Sequence, residues 1–158
     1  MTLSDIAIEA VGDNPARIGQ SLAVLQSGLG QGFISREQLL AYAAPQSGQP
    51  IRSALAAIEA TTGSVIGVLT FEIVGAEVLH ASFLDSYDLL RSDAALRLLR
   101  PGSTGLIKSI AVLPAHRGCG VASKLIAQGL AELAAHGEEH TYSLAWTSKR
   151  DGCLLCGV

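Results

Sequence analysis

Val112-Leu113-Pro114-Ala115-His116-Arg117-Gly118-Cys119-Gly120-Val121-Ala122-Ser123 is the stretch on which the reading of this chain turns. An apolar run ends at a proline, two glycines follow within three residues, and an amphipathic stretch begins at Val121. Such a pattern reads as a strand feeding a glycine-bearing loop that opens a helix. The first amides of a helix have no partner inside it, and the helix dipole adds partial positive charge there. Glycine lets the backbone turn with positive φ and approach a ligand closely. The segment is therefore a cradle for phosphate, with Arg117 supplying a fixed charge beside it.

Three designs use such a turn. A P-loop needs Gly-x-x-x-x-Gly-Lys-Ser/Thr, and Lys108-Ser109 has no glycine directly before it. A dinucleotide fold needs Gly-x-Gly-x-x-Gly directly after the strand and an acid ending the next strand. Here Pro-Ala-His-Arg precedes Gly118, Ser123 stands at the third glycine, and the next strand ends at Trp146-Thr147. The third design is taken up below.

Outward from the cradle, Leu106 to Leu113 reads as a strand, Val121 to His136 as a helix closed by Gly137, and Tyr142 to Thr147 as a strand. Arg150 onward is expected to begin a helix. Upstream, Ile6 to Ala10 alternates as a short strand, and Asp13-Asn14-Pro15 starts a helix that ends near Gly28 to Gly30. Ser35 with Gln38 forms a capping-box pattern for a helix from Arg36 to Ala44. Strands over Ser53–Ala60 and Ser64–Val74 form a hairpin across Thr61-Thr62-Gly63. Residues 45–50 read as a loop, and residues 76–100 as one or two helices broken by Pro101-Gly102.

Composition bounds the rest. The 158 residues make one domain, apolar at 49% and charged at only 16%. No apolar run approaches the roughly 20 residues that span a bilayer. The opening "MTLSDIAIEA" has acids where a signal peptide has basic residues, so a cytoplasmic protein is expected. Three arginines stand against nine acids in residues 1–90, and eight basic residues against five acids in 91–158. That balance gives no sign of nucleic-acid binding and is compatible with an anionic cofactor on the later half. Cys119, Cys153 and Cys156 do not form a disulfide framework. The last two, in a Cys-x-x-Cys arrangement, read as buried helix positions, with a redox or zinc site as the alternative.

At the cradle the sequence resembles the GNAT (GCN5-related N-acetyltransferase) superfamily. Its coenzyme A loop, Arg/Gln-x-x-Gly-x-Gly/Ala, is matched by Arg117, Gly120 and Ala122, after an Ile110-Ala111-Val112 strand and Pro114. Leu125 and Ile126 fill the family's apolar helix positions. The resemblance implies an α/β fold with a mixed, mostly antiparallel sheet flanked by helices. It also implies acetyl-CoA as cofactor and acetyl transfer to a primary amine of a small molecule or protein, with no nucleic acid or membrane as partner.

The family's pattern assigns the cofactor to the strand Ile110, Ala111 and Val112, to Arg117, Gly118, Cys119, Gly120, Val121, Ala122 and Ser123 of the loop, and to Thr147. The fourth strand and its neighbour are expected to splay apart to admit it, with a backbone N–H near Ile110 polarising the thioester carbonyl. Where many members carry a glutamate on the fourth strand, this chain has Lys108. Glu72 and His80 are the candidates for proton acceptor, with Glu77 beside them. The family's acidic tyrosine aligns at or beyond Val158. Its last two strands would lie past the expected final helix, which implies an incomplete sheet and a homodimer across its open edge. The other functional reading is a non-catalytic acyl-CoA-binding module.

Overall fold

The computed structural model describes residues 5–44, 51–75, 103–138, 141–146 and 153–157. The expected loop at 45–50 and the helical region at 76–100, with His80 and Glu77, lie outside the described residues, as does Thr147.

Local chemistry sets the helix starts. In α1 (Pro15–Leu29) the Asn14 side chain accepts from the amides of Ala16 and Arg17, Pro15 enters the first turn, and Gly30 at φ 107° ends the helix. In α2 (Arg36–Ala43) the capping box is closed both ways. Ser35 N–H donates to Gln38 Oε1 at 2.8 Å and Gln38 N–H to Ser35 Oγ at 3.1 Å. A single 3-10 turn, Pro114–His116, leads to α3 (Val121–Ala135).

Among the described residues six strands form one sheet in chain order: β1 (Ile6–Ala10), β2 (Arg52–Glu59), β3 (Val65–Gly75), β4 (Ser103–Val112), β5 (Thr141–Trp146) and β6 (Cys153–Gly157). Pairing is antiparallel throughout except between β4 and β5, which are parallel. The expected fold class holds: a mixed, mostly antiparallel sheet with helices against it.

The alternation of side chains along each strand divides the core in two. Ala54, Ala56, Val68 and Ala111 pack with Val24, Leu25 and Leu39 from α1 and α2. Leu55, Ala57, Leu69, Phe71 and Ile107 pack with Val121, Leu125 and Leu133 from α3. The layers approach closely where glycine faces them. A Cβ on Gly67 would lie 2.9 Å from Val121 Cγ1, and one on Gly28 would lie 2.8 Å from Ala111 Cβ.

One expectation is corrected. The segment read as a helix from Arg150, carrying Cys153 and Cys156, is a strand over Cys153–Gly157, paired antiparallel with β5 from Tyr142↔Gly157 to Trp146↔Cys153. Five apolar residues are too few for periodicity to separate helix from strand, and a helix that short does not overcome its nucleation cost. The neighbouring β5 offers hydrogen-bond partners instead. β6 thus covers the edge of β5 and becomes the last strand of the sheet.

Candidate functional site

The loop between the 3-10 turn and α3 turns on Gly118 (φ 76°) and Gly120 (φ 78°). Gly120 is the N-cap of α3 in the left-handed region, and it has no side chain with which to cap the helix. The first-turn amides are therefore left for an outside acceptor. They open onto a cavity of about 440 Å³ lined by Val112, His116, Arg117, Gly118 and Gly120, and by Val121 to Ser123. Arg117 Nε donates to the Val112 carbonyl at 3.1 Å, which ties the guanidinium back to the end of β4. Cys119 is an exposed free thiol whose Sγ lies 3.7 Å from the Arg117 carbonyl.

From this cradle a cleft runs along β4. β4 and β5 pair only from Gly105↔Thr141 to Ile107↔Ser143, although β4 continues to Val112 and β5 to Trp146. Which backbone groups face the cleft follows from the β3 ladder. Leu113 N–H donates to the Ile66 carbonyl, and hydrogen-bonded pairs alternate along an antiparallel ladder. Ala111 and Ser109 thus turn their N–H and C=O toward β3, where Ala111 stands opposite Val68. Ile110 and Val112 turn theirs the other way, into the cleft. The Arg117 bond to the Val112 carbonyl agrees with that direction. Of the three strand residues expected to meet the cofactor, Ile110 and Val112 present polar backbone to it, and Ala111 spends its own on the sheet.

A second cavity of about 270 Å³ opens between α2 and the sheet, lined by Phe33, Ile34, Gln38, Tyr42, Arg52 and Lys108 among others. Lys108 reaches it through a bulge: Thr70 pairs with Ser109 and Phe71 with Ile107, so Lys108 is the unmatched residue. The buried hydroxyls of Thr70 and Ser109 bond each other at 2.6 Å.

Glu72 stands beside this cavity on β3. Its Oε2 accepts from Arg52 Nε at 3.1 Å and from the Tyr42 hydroxyl at 3.3 Å, and its Oε1 lies 3.5 Å from Lys108 Nζ. Burial, with the negative charge of Glu72 next to it, raises the Tyr42 phenol well above its ordinary value of 10.0, so the phenol stays neutral. Arg52 also lies over the Tyr42 ring, 5.5 Å from its centroid. Neither Arg52 nor Tyr42 stands out in the sequence. The available signal is the Arg52↔Glu72 register pair, which needs the strand alignment to be seen. Among the described residues, no group of three or more His, Cys, Asp or Glu is placed to hold a metal ion.

The model of the acetyltransferase (GNAT) family matches residues 33–151. The chain belongs to the GNAT acetyltransferase family. Its members use acetyl-CoA as acetyl donor. No curated protein matches the sequence. Solved structures share the fold at low identity. An aminoglycoside acetyltransferase from an uncultured soil metagenomic sample, in complex with sisomicin, is 15% identical with a TM-score of 0.61, over 91% of this chain and 80% of that one. Arabidopsis thaliana NAA60 in complex with acetyl-CoA is 19% identical with a TM-score of 0.63, over 91% and 78%. A Brucella melitensis GNAT family acetyltransferase with acetyl-CoA is 19% identical with a TM-score of 0.56, over 97% and 89%. Among the described residues no helix of this GNAT chain is long and apolar enough to cross a membrane.

Proposed function

We propose that the protein transfers an acetyl group from acetyl-CoA to a primary amine by direct attack. The observation that carries this reading is the cleft between β4 and β5, which receives the N–H groups of Ile110 and Val112 and ends at an uncapped helix N-terminus. Those residues fit an elongated ligand with an anionic end: backbone donors along one strand edge, then amides and Arg117 where the charge would lie.

When bound, acetyl-CoA supplies an acyl group already activated as a thioester. The amides from Gly118 to Ser123 would hold its pyrophosphate, and Arg117 would add a positive charge held in place by the Val112 carbonyl. Ile110 N–H, turned away from β3, would be the donor for the acyl carbonyl oxygen, where an amine's attack places negative charge. Glu72 acts as a positioning residue, because both of its oxygens are already engaged, one by Arg52 and the Tyr42 hydroxyl and the other by Lys108. The same commitment favours a second reading, in which the site binds acyl-CoA without turnover.

Calorimetric or thermal-shift titration with acetyl-CoA and CoA, together with thiol release on addition of an amine panel, separates the two. Acetyl-CoA binding is expected in wild type and lost in Arg117→Glu, which sets a negative charge against the pyrophosphate. Binding without thiol release from any amine would support the second reading. Absence of any coenzyme-dependent response would end both.

A further inference from the structure

The cavity between α2 and the sheet has a charge arrangement that discriminates among amines. Arg52 and Lys108 bring two positive charges to it and Glu72 brings one negative charge. The anion is turned inward: the Glu72 side chain is 10% exposed, against 31% for Arg52 and 41% for Lys108. Both of its oxygens are already engaged, one by Arg52 and Tyr42 and the other by Lys108. An incoming ammonium group would have to displace these cations to reach it. Tyr42 adds no charge, since its phenol remains protonated.

The cations retain binding capacity. Among the described residues Arg52 uses only Nε, and a guanidinium has four further N–H donors in a planar fork that matches a carboxylate. Lys108 Nζ, at 3.5 Å from Glu72, has donors to spare. Phe33, Ile34 and Ala41 give the same cavity an apolar wall, and its volume of about 270 Å³ suits a small molecule. Lys108 lies two residues before Ile110 on β4, roughly 7 Å along the strand. A molecule anchored there stands next to the cleft.

Resting on the acetyltransferase reading above, we infer that the acceptor is a small amine that also bears a carboxylate, of the amino-acid class, its carboxylate held by Arg52 and Lys108 and its hydrocarbon part by the wall of Phe33, Ile34 and Ala41. A polycationic acceptor, such as the sisomicin bound by the soil acetyltransferase, would bring several positive charges against the same two side chains.

The test compares glycine, leucine and phenylalanine with their C-terminal amides, and with spermidine as a polycation, by thiol release from acetyl-CoA. Acids are expected to exceed their amides in kcat/KM by about ten- to a hundredfold, as befits a charge-assisted hydrogen bond. The preference stands against an opposing bias, because the amides hold more free amine at neutral pH. Lys108→Gln and Arg52→Gln, each checked by thermal melt, should bring the acids down to the level of their amides through KM, and Lys108→Glu should favour spermidine. Titration of the acids into protein with CoA bound reads the same contacts without catalysis.

Acids no better than amides, or spermidine foremost, overturns the inference. So does a melting shift with acetyl-CoA but neither binding nor turnover of any acid, which leaves coenzyme binding intact. If acetyl-CoA itself gives no shift, the acetyltransferase reading fails and this inference with it.

Discussion

Gly67 shows how one missing side chain supports a binding site on another element. It lies on β3 with Val121 and Leu125 of α3 above it, and an added Cβ would fall 2.9 Å and 3.1 Å from their side-chain carbons. Both partners are fully buried, so neither can swing away. Gly67→Ala is therefore expected to destabilise the fold by about 1–3 kcal/mol, the usual penalty for overpacking. Since Val121 opens α3, the same change should lift the helix N-terminus from its place and weaken acetyl-CoA binding. Denaturant unfolding and coenzyme titration of the same variant test both. Unchanged stability would mean that α3 rides less tightly on β3 than these distances imply. The glycines of the cradle serve differently: Gly118 and Gly120 hold positive φ and allow the backbone to present its amides.

At the scale of elements the decisive feature is β4, which has different partners along its two edges. Toward β3 it is paired from Ser103 to Val112 with one bulge, and toward β5 for three residues only. Beyond Ile107 no strand among the described residues pairs with the second edge. Ile110→Pro probes this directly, because proline removes the N–H that faces the cleft and leaves the β3 ladder its bonds. The expected result is a loss in kcat on the order of 10²–10³, as for removal of one oxyanion donor, with coenzyme affinity reduced far less. Steady-state kinetics beside calorimetry measures the split. An equal fall in binding and rate would place the role of this N–H in holding the coenzyme. The bulge at Lys108 could not be read from sequence, since it shows only in the register of β4 against β3. The α2 capping box was legible, because Ser35 and Gln38 are three residues apart and need nothing else.

The whole molecule couples coenzyme binding to stability. The cradle depends on α3 packing against the sheet core, so a ligand seated there binds the folded state alone. At a concentration a hundred times Kd such a ligand adds about 2.7 kcal/mol. For a chain of 158 residues that corresponds to a rise in Tm of roughly 5–11 °C, which scanning fluorimetry detects easily. A rise below about 1 °C under those conditions would be incompatible with a coenzyme seated against α3. The uneven charge belongs to this scale as well. The later part of the chain, richer in basic residues, supplies Lys108 and Arg117, while Arg52 joins them from the acidic earlier part by strand pairing.

The amino-acid sequence by itself determined what depends on near neighbours. Asn14 and Ser35 with Gln38 start their helices within three residues, and Gly118 and Gly120 turn the backbone into α3 with no side chain capping its first amides. The glycine φ angles and free amides there are local consequences of backbone sterics and helix geometry. Tertiary structure alone decided the rest. It made a strand of Cys153–Gly157, because a short apolar segment takes the hydrogen bonds its neighbour offers. It parted β4 from β5 after Ile107 and turned Ile110 and Val112 toward the opening. It also joined Tyr42, Arg52, Glu72 and Lys108, separated by up to 66 residues in the chain, into one charged cluster. Strand register and helix packing fix such meetings, and both are properties of the assembled sheet rather than of any segment within it.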